Sequence, residues 1–248
     1  MTIKTGYIGL GNIGKPMCEN LIKNRSDNGL EVYVYDVVAE PVSEMVALGA
    51  IASDSPKAIA QSCDLIGLCV RHDGDVDDLL YGDDGMLANG RKDSIIAIHS
   101  TVTRDNILRW AKDAAAFGIH IIDAPITGGS GGAADGTLCF MVGGEQAIIE
   151  RATPMFAGTS KKVVHGGELG SGVVLKLANN LITYAAMTAC SEAIALVKNS
   201  GVEMQRLFDV GEANGVITPS AQQFINGREG LLAGCTAQER EGYARGNI

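Results

Sequence analysis

Before Gly170, short apolar runs alternate with stretches of helical period. Thr5-Gly-Tyr-Ile-Gly9 reads as a short buried strand and Glu31 to Tyr35 as a β-branched, aromatic one. Cys63 to Val70, Ser94 to Ile98, Ile119 to Asp123 and Leu138 to Val142 read as further strands. Between them, Lys15 to Asn24 has Met17, Leu21 and Ile22 on one helical face. A helix is expected from Pro41 to Leu48, a short one over Ala58 to Gln61, and another over Arg104 to Ala115. Strands separated by helical stretches predict βαβ units and a largely parallel sheet. The near-continuous apolar strands fit a sheet covered on both faces.

From Gly172 the pattern changes. Val173, Val174, Leu177, Leu181, Tyr184, Ala185, Thr188 and Ala189 recur at three and four, and nothing breaks the run until Asn199-Ser200-Gly201. This predicts one helix of roughly 28 residues, far above the mean of about 11–12. Such a helix is expected to bridge two domains or to form an interface between copies. Gly201 to Glu212 reads as a further short helix, and periodicity fades after about Phe224, so a loose terminus is expected. The glycines of Lys162 to Gly170 place the expected domain boundary there, giving domains 1–165 and 166–248.

A chain of 248 residues has room for one large domain or two modest ones. With 46% hydrophobic and 20% charged residues it is neither disordered nor a coiled coil. The net charge of −9, with no basic block, argues against nucleic acid or an anionic membrane as partner. No apolar run approaches the about 18–20 residues of a membrane span. Met1-Thr2-Ile3-Lys4 leads into a strand without a signal-peptide pattern. The six cysteines show no CxxC and no pairing with the four histidines, so reduced thiols, a cytoplasmic setting and no metal site are expected. The 32 glycines imply tight turns and close backbone approach to a ligand.

Four segments carry candidate chemistry. Gly9-Leu10-Gly11-Asn12-Ile13-Gly14 follows a strand and opens a helix, and Asp36 ends the next strand about 20 residues on. Glycines there permit a pyrophosphate to approach the helix N-terminus, and the carboxylate can accept both ribose hydroxyls of an adenosine. The same carboxylate repels a 2′-phosphate, and no Arg or Lys follows before Lys57, so NAD is expected over NADP. The plain alternative is an acidic residue turning the chain. Ser100-Thr101-Val102-Thr103 lies just past a strand, where hydroxyls can bind a nicotinamide ribose or a substrate carboxylate, or Thr103 can cap the next helix. Asp123-Ala-Pro-Ile-Thr127-Gly128-Gly129 runs into more glycines, either a nest for an anion or a flexible hairpin loop. In Gly170-Ser-Gly172-Val-Val-Leu-Lys176-Leu-Ala-Asn179-Asn180, Lys176 and Asn180 share an otherwise apolar helix face. A buried lysine suits acid–base work, whereas a snorkelling surface lysine is the bland reading.

In this order the four motifs resemble the β-hydroxyacid dehydrogenase family over residues from about Gly6 to Gly201. The resemblance implies an α/β fold: an N-terminal Rossmann-type doubly wound sheet, a long interdomain helix and a small all-helical C-terminal domain. It implies an oxidoreductase that passes a hydride between NAD and a small carboxylate-bearing substrate, a β-hydroxy acid or its semialdehyde. Lys176 would be the general acid/base and Asn180 would orient substrate and lysine. Thr127, Gly128 and Gly129 would grip the substrate carboxylate, Ser100 would also bind the substrate, and Thr101 would meet the nicotinamide end. Val70 and Arg71 stand where the family often has Leu-Pro along the cofactor. Thr127 replaces the usual Ser, and no K-D-L segment occurs, so a cleft wall is expected to be missing. The shortened end also keeps two alternatives open: a nucleotide-binding relative with little turnover, and an imine-reducing enzyme on the same frame. The apolar Leu177 to Leu196 surface predicts a homodimer or higher oligomer.

Overall fold

A computed structural model describes residues 2–218, 221–222, 225–227, 230 and 234. The first part alternates β1 (Ile3–Ile8), α1 (Gly14–Lys23), β2 (Leu30–Tyr35), α2 (Ala39–Ala47), β3 (Ile51–Ala52), α3 (Pro56–Ser62) and β4 (Leu65–Leu68). It continues through α4 (Asp73–Leu80), α5 (Met86–Asn89), β5 (Ile95–Ile98), α6 (Arg104–Ala115), β6 (His120–Asp123), β7 (Ile126–Thr127) and α7 (Gly129–Ala134). Then follow β8 (Leu138–Gly143), α8 (Gln146–Phe156), β9 (Ser160–Gly167), α9 (Ser171–Asn199) and α10 (Met204–Ala213). The chain divides into two compact units, Met1–Asn179 and Asn180–Ile248, so the division falls inside α9.

In the first unit one sheet runs β3-β2-β1-β4-β5-β6-β8-β7, with β9 on β8. β1 to β6 are parallel, and β8 is antiparallel to β6 and β7. The strand order reverses beside β1, the point where α/β sheets open a crevice at their carboxyl ends. Both faces are buried, as the apolar strands require. One core joins Met17, Leu21, Ile22, Phe140 and Phe156, and the other joins Ile59, Trp110, Met86 and Val173. In the second unit Ile194, Phe208, Ile217 and Ile225 form their own cluster.

Several elements differ from the expectation. The helix expected to follow Pro41 starts at Ala39, because proline is tolerated in a first turn whose N–H groups lack helical partners. The glycine run after Thr127, a nest or hairpin loop from sequence, forms the short α7. Lys162 to Gly170, placed at a boundary, belongs largely to β9, which completes the sheet on β8. α4 hides in an aspartate-rich stretch whose start His72 caps, accepting from the Asp75 N–H at 3.3 Å. α8 carries Pro154, which masked its helical period. No unbroken apolar run reaches the length of a membrane span, yet one helix does so by mean hydropathy. α9 is 29 residues long with a window of mean hydropathy 1.3, enough to cross a membrane by length and composition. Its polar residues are spaced so that no uninterrupted apolar run forms, and its Val173 is buried in the core of the first unit. The expected loose segment Gly242 to Ile248 lies outside the described residues.

Candidate functional site

Ile8 pairs with both Tyr35 and Leu68, Leu68 pairs with Ile98, and Ile98 pairs with Asp123. The segments leaving β1, β2, β4, β5 and β6 therefore emerge side by side along one sheet edge. Four of the predicted groups leave from that edge.

The turn after β1 is closed by two glycines and left open by a third. At Gly9 φ is +96°, and a Cβ would run into the Cys69 carbonyl. At Gly14 a Cβ would run into the Gly9 carbonyl and stand 3.2 Å from the Cys69 Cβ. At Gly11 a Cβ would meet nothing within 4 Å. Leu10, Asn12 and Ile13 fill the turn between them, and Leu10 is buried. The cradle at Gly11, beside the N-terminus of α1, fits a pyrophosphate.

Asp36 lies against this turn. Its Oδ2 accepts from the Leu10 N–H at 2.6 Å and its Oδ1 from the Val38 N–H at 2.8 Å. Each oxygen keeps a lone pair, so the carboxylate is held by backbone and still has capacity for two hydroxyls. Val37 next to it is 89% exposed, and Lys15, in the first turn of α1, is engaged by Glu44.

β4 and β5 are tied at their ends. The Ser100 hydroxyl donates to the Val70 carbonyl at 2.8 Å and accepts from the Val70 N–H at 3.0 Å. The Arg71 N–H donates to Asp75 Oδ2 at 3.0 Å. Ser100 thus commits its proton inside the protein, and the Val70 and Arg71 N–H groups are already engaged. Thr101 follows and is exposed. Thr103 does not cap α6 with its hydroxyl, as the sequence allowed; it donates that hydroxyl to Asp73 Oδ1 at 2.8 Å. Beneath this edge His99 is fully buried, with Nδ1 against the Ala124 carbonyl at 3.1 Å and its ring stacked on Tyr7. Burial pulls its pKa down to about 4.

The remaining residues gather around the first turns of α9. Lys176 is half-buried, and burial alone pushes its ammonium below its ordinary pKa. Three residues on, Asn179 reaches the Thr127 hydroxyl at 3.5 Å, so this turn of α9 stands beside the end of β7. Thr127 is half-buried, while Gly128 and Gly129 are exposed at the start of α7. Asn180 is half-buried and begins the second unit. Asn179 was given no role from sequence, although its place three residues after Lys176 puts it on the same side of the helix. Asp123 was read only as part of its motif, yet it is the fully buried link between β6 and the start of α9. Its Oδ1 accepts from the Gly170 N–H at 2.7 Å and its Oδ2 from the Val173 N–H at 2.8 Å. Among the described residues, no group of three His, Cys, Asp or Glu side chains could hold a metal.

This geometry agrees with similarity to known proteins. Residues 4–167 match the NAD-binding domain of 6-phosphogluconate dehydrogenase. The chain is 34% identical over 215 residues to 2-(hydroxymethyl)glutarate dehydrogenase of Eubacterium barkeri, covering 86% of this chain and 70% of that one. It is 34% identical over 204 residues to 3-hydroxyisobutyrate dehydrogenase of Pseudomonas aeruginosa, covering 82% and 67%. The solved 3-hydroxyisobutyrate dehydrogenase of Mycobacterium tuberculosis, with L-serine, superposes with a TM-score of 0.78 at 30% identity, covering 86% of this chain and 71% of that one. With the glycine turn and Asp36 on one sheet edge and the Lys176 helix anchored to β6, the chain belongs to the β-hydroxyacid dehydrogenase family of NAD-binding oxidoreductases.

Proposed function

We propose that the protein oxidises a small β-hydroxy acid, or reduces the corresponding semialdehyde, with NAD as cofactor and Lys176 as general acid/base. The observation that carries this reading is Lys176 itself: a half-buried lysine with no compensating charge among the described residues, its pKa lowered by burial, on the turn of α9 where Asn179 reaches Thr127. A lysine so placed is more readily neutral than one in water, and a neutral amine is the form that accepts a proton.

The Gly9–Gly14 turn would hold the pyrophosphate of NAD and Asp36 the adenosine ribose; the Asp36 carboxylate would repel a 2′-phosphate, and Lys15 at the start of α1 is engaged by Glu44. When bound, NAD supplies the hydride acceptor. In the oxidative direction Lys176 takes the proton of the substrate hydroxyl while the carbon-bound hydrogen leaves as hydride; in reduction its ammonium gives that proton to the developing alkoxide. Asn180 orients the substrate. Thr127, Gly128 and Gly129 hold the substrate carboxylate, with Thr101 at the nicotinamide end. Ser100 serves by locking β4 to β5 beneath the site. The two relatives are named for β-hydroxy acids, which supports a substrate here with the hydroxyl two carbons from the carboxylate carbon. The test is NADH formation on a panel of 3-hydroxy acids, run beside titrations of NAD and NADP. Turnover with one of these acids supports the proposal. Tight NAD binding with no turnover on any of them, in either direction, replaces it with a binding module.

A further inference from the structure

We infer that Asp123 is a positioning residue for Lys176. The inference rests on the proposed role of Lys176 and concerns how that side chain is aimed. Asp123 ends β6, and its side chain is completely buried. A buried carboxylate is tolerated only where hydrogen bonds replace its water. Both oxygens find them on one target, the beginning of α9, at 2.7 Å from the Gly170 N–H and 2.8 Å from the Val173 N–H. These are short, charge-assisted contacts that satisfy N–H groups a helix start leaves without helical partners. Local residues do not do this job. Gly170 has no side chain, and the buried Ser171 hydroxyl has no hydrogen-bond partner among the described residues.

The space around the carboxylate is shaped for it. A Cβ at Gly172 would come within 2.9 Å of Asp123 Oδ2, and a Cβ at Gly143 would run into Oδ1. The glycines of the Gly170-Ser-Gly172 motif and of β8 thus keep room for a carboxylate arriving from β6. Val173, whose N–H Asp123 holds, is buried in the core and lies one turn before Lys176. An α-helix rises about 5.4 Å per turn, so an anchor at Val173 fixes the axis and phase of the turn that carries the lysine. Asp123 pairs with Ile98 at the edge from which Ser100 and Thr101 emerge. One carboxylate therefore references the acid/base to the cofactor edge of the sheet. Burial lowers the Lys176 pKa, and among the described residues no charged group contributes, so a looser helix start that admits water would raise it.

The experiment is Asp123→Asn beside Lys176→Ala. The amide has one oxygen, so only one of the two N–H groups keeps its acceptor. A small misplacement of a catalytic group costs up to about a hundredfold in rate, and kcat is expected to fall by about tenfold or more. The dissociation constant for NADH should stay within about twofold, since the turn and Asp36 are untouched. The limb of the kcat/KM profile that reports the lysine should move to higher pH, because a loosened helix start rehydrates the ammonium. A purely structural role would lower thermal stability and leave kcat and that limb in place, which overturns the inference. Activity retained by Lys176→Ala overturns the acid/base reading and this inference together. An inactive Lys176→Ala with a wild-type kcat and pH limb in Asp123→Asn sinks the positioning role alone. If Asp123→Asn does not fold, amide hydrogen exchange on the unmodified protein decides: the Gly170 and Val173 amides should exchange as slowly as those of β6, and exchange at frayed-end rates overturns the anchor.

Discussion

The three glycines of the β1–α1 turn should separate on substitution, because the structure gives each different surroundings. Gly11→Ala adds a methyl where nothing lies within 4 Å, and its φ is outside the left-handed region. The fold should be unharmed, or stabilised by up to about 1 kcal/mol through lower unfolded-chain entropy. That same methyl occupies the space proposed for the pyrophosphate. Losing one hydrogen bond to a charged acceptor costs about 1.5–3 kcal/mol, so NADH should bind about 10- to 100-fold more weakly. Gly14→Ala has the opposite profile, since its methyl drives into the Gly9 carbonyl and against Cys69. Overpacking of this kind costs about 1–3 kcal/mol, lowering Tm by about 2–12 °C for a domain of this size. Differential scanning fluorimetry with and without NADH, with fluorescence titration of NADH, reads both effects. A Gly11→Ala variant that binds NADH as the unmodified protein does would place the pyrophosphate elsewhere. A Gly14→Ala variant of unchanged Tm would refute the packing account of the third glycine.

Asp36→Asn with Val37→Arg should move preference toward NADP, by removing the charge that repels a 2′-phosphate and supplying one that holds it; equal dissociation constants for NAD and NADP in the unmodified protein would sink the assignment. His99, with a pKa of about 4 against an ordinary 6.5, disfavours the proton in the folded state. The unfolded chain therefore binds more protons between these values, so this stabilisation is complete above pH 6.5 and is lost as pH falls toward 4, about 3 kcal/mol at about 1.4 kcal/mol per pKa unit. Urea unfolding of the unmodified protein and His99→Phe at a series of pH values isolates this contribution as the difference between the curves; parallel curves contradict it.

The parts legible in the sequence are those set by local chemistry. The alternation of apolar runs and helical faces located β1, β2, β4, β5, β6 and β8, and the unbroken period after Gly172 located α9 to within a residue at its start. Other elements depend on partners distant in sequence. α7 is built almost wholly of glycine and alanine, which carry no periodic signal, and Asn20 of α1 holds its Ala133 and Ala134 carbonyls. β9 is mostly exposed and owes its strand form to pairing with β8. At the site, residue type and spacing pointed to the glycine turn and Asp36, while for Lys176 they left a plain surface lysine open and only the family resemblance singled it out. The Ser100–Val70 tie, the Asn179 contact with Thr127 and the Asp123 anchor join segments 30, 52, 47 and 50 residues apart, which no local pattern encodes.

Lys176 is proposed to carry the proton of a hydride-transfer reaction while the glycine turn and Asp36 hold the adenosine end of NAD. Lys176→Ala, assayed for NADH formation with the best 3-hydroxy acid of the panel and titrated with NADH in parallel, tests it most directly. The account predicts a fall in kcat of about 10²- to 10⁴-fold with the NADH dissociation constant nearly unchanged. A variant that keeps more than about a tenth of the activity, or one that loses NADH binding along with turnover, would contradict it.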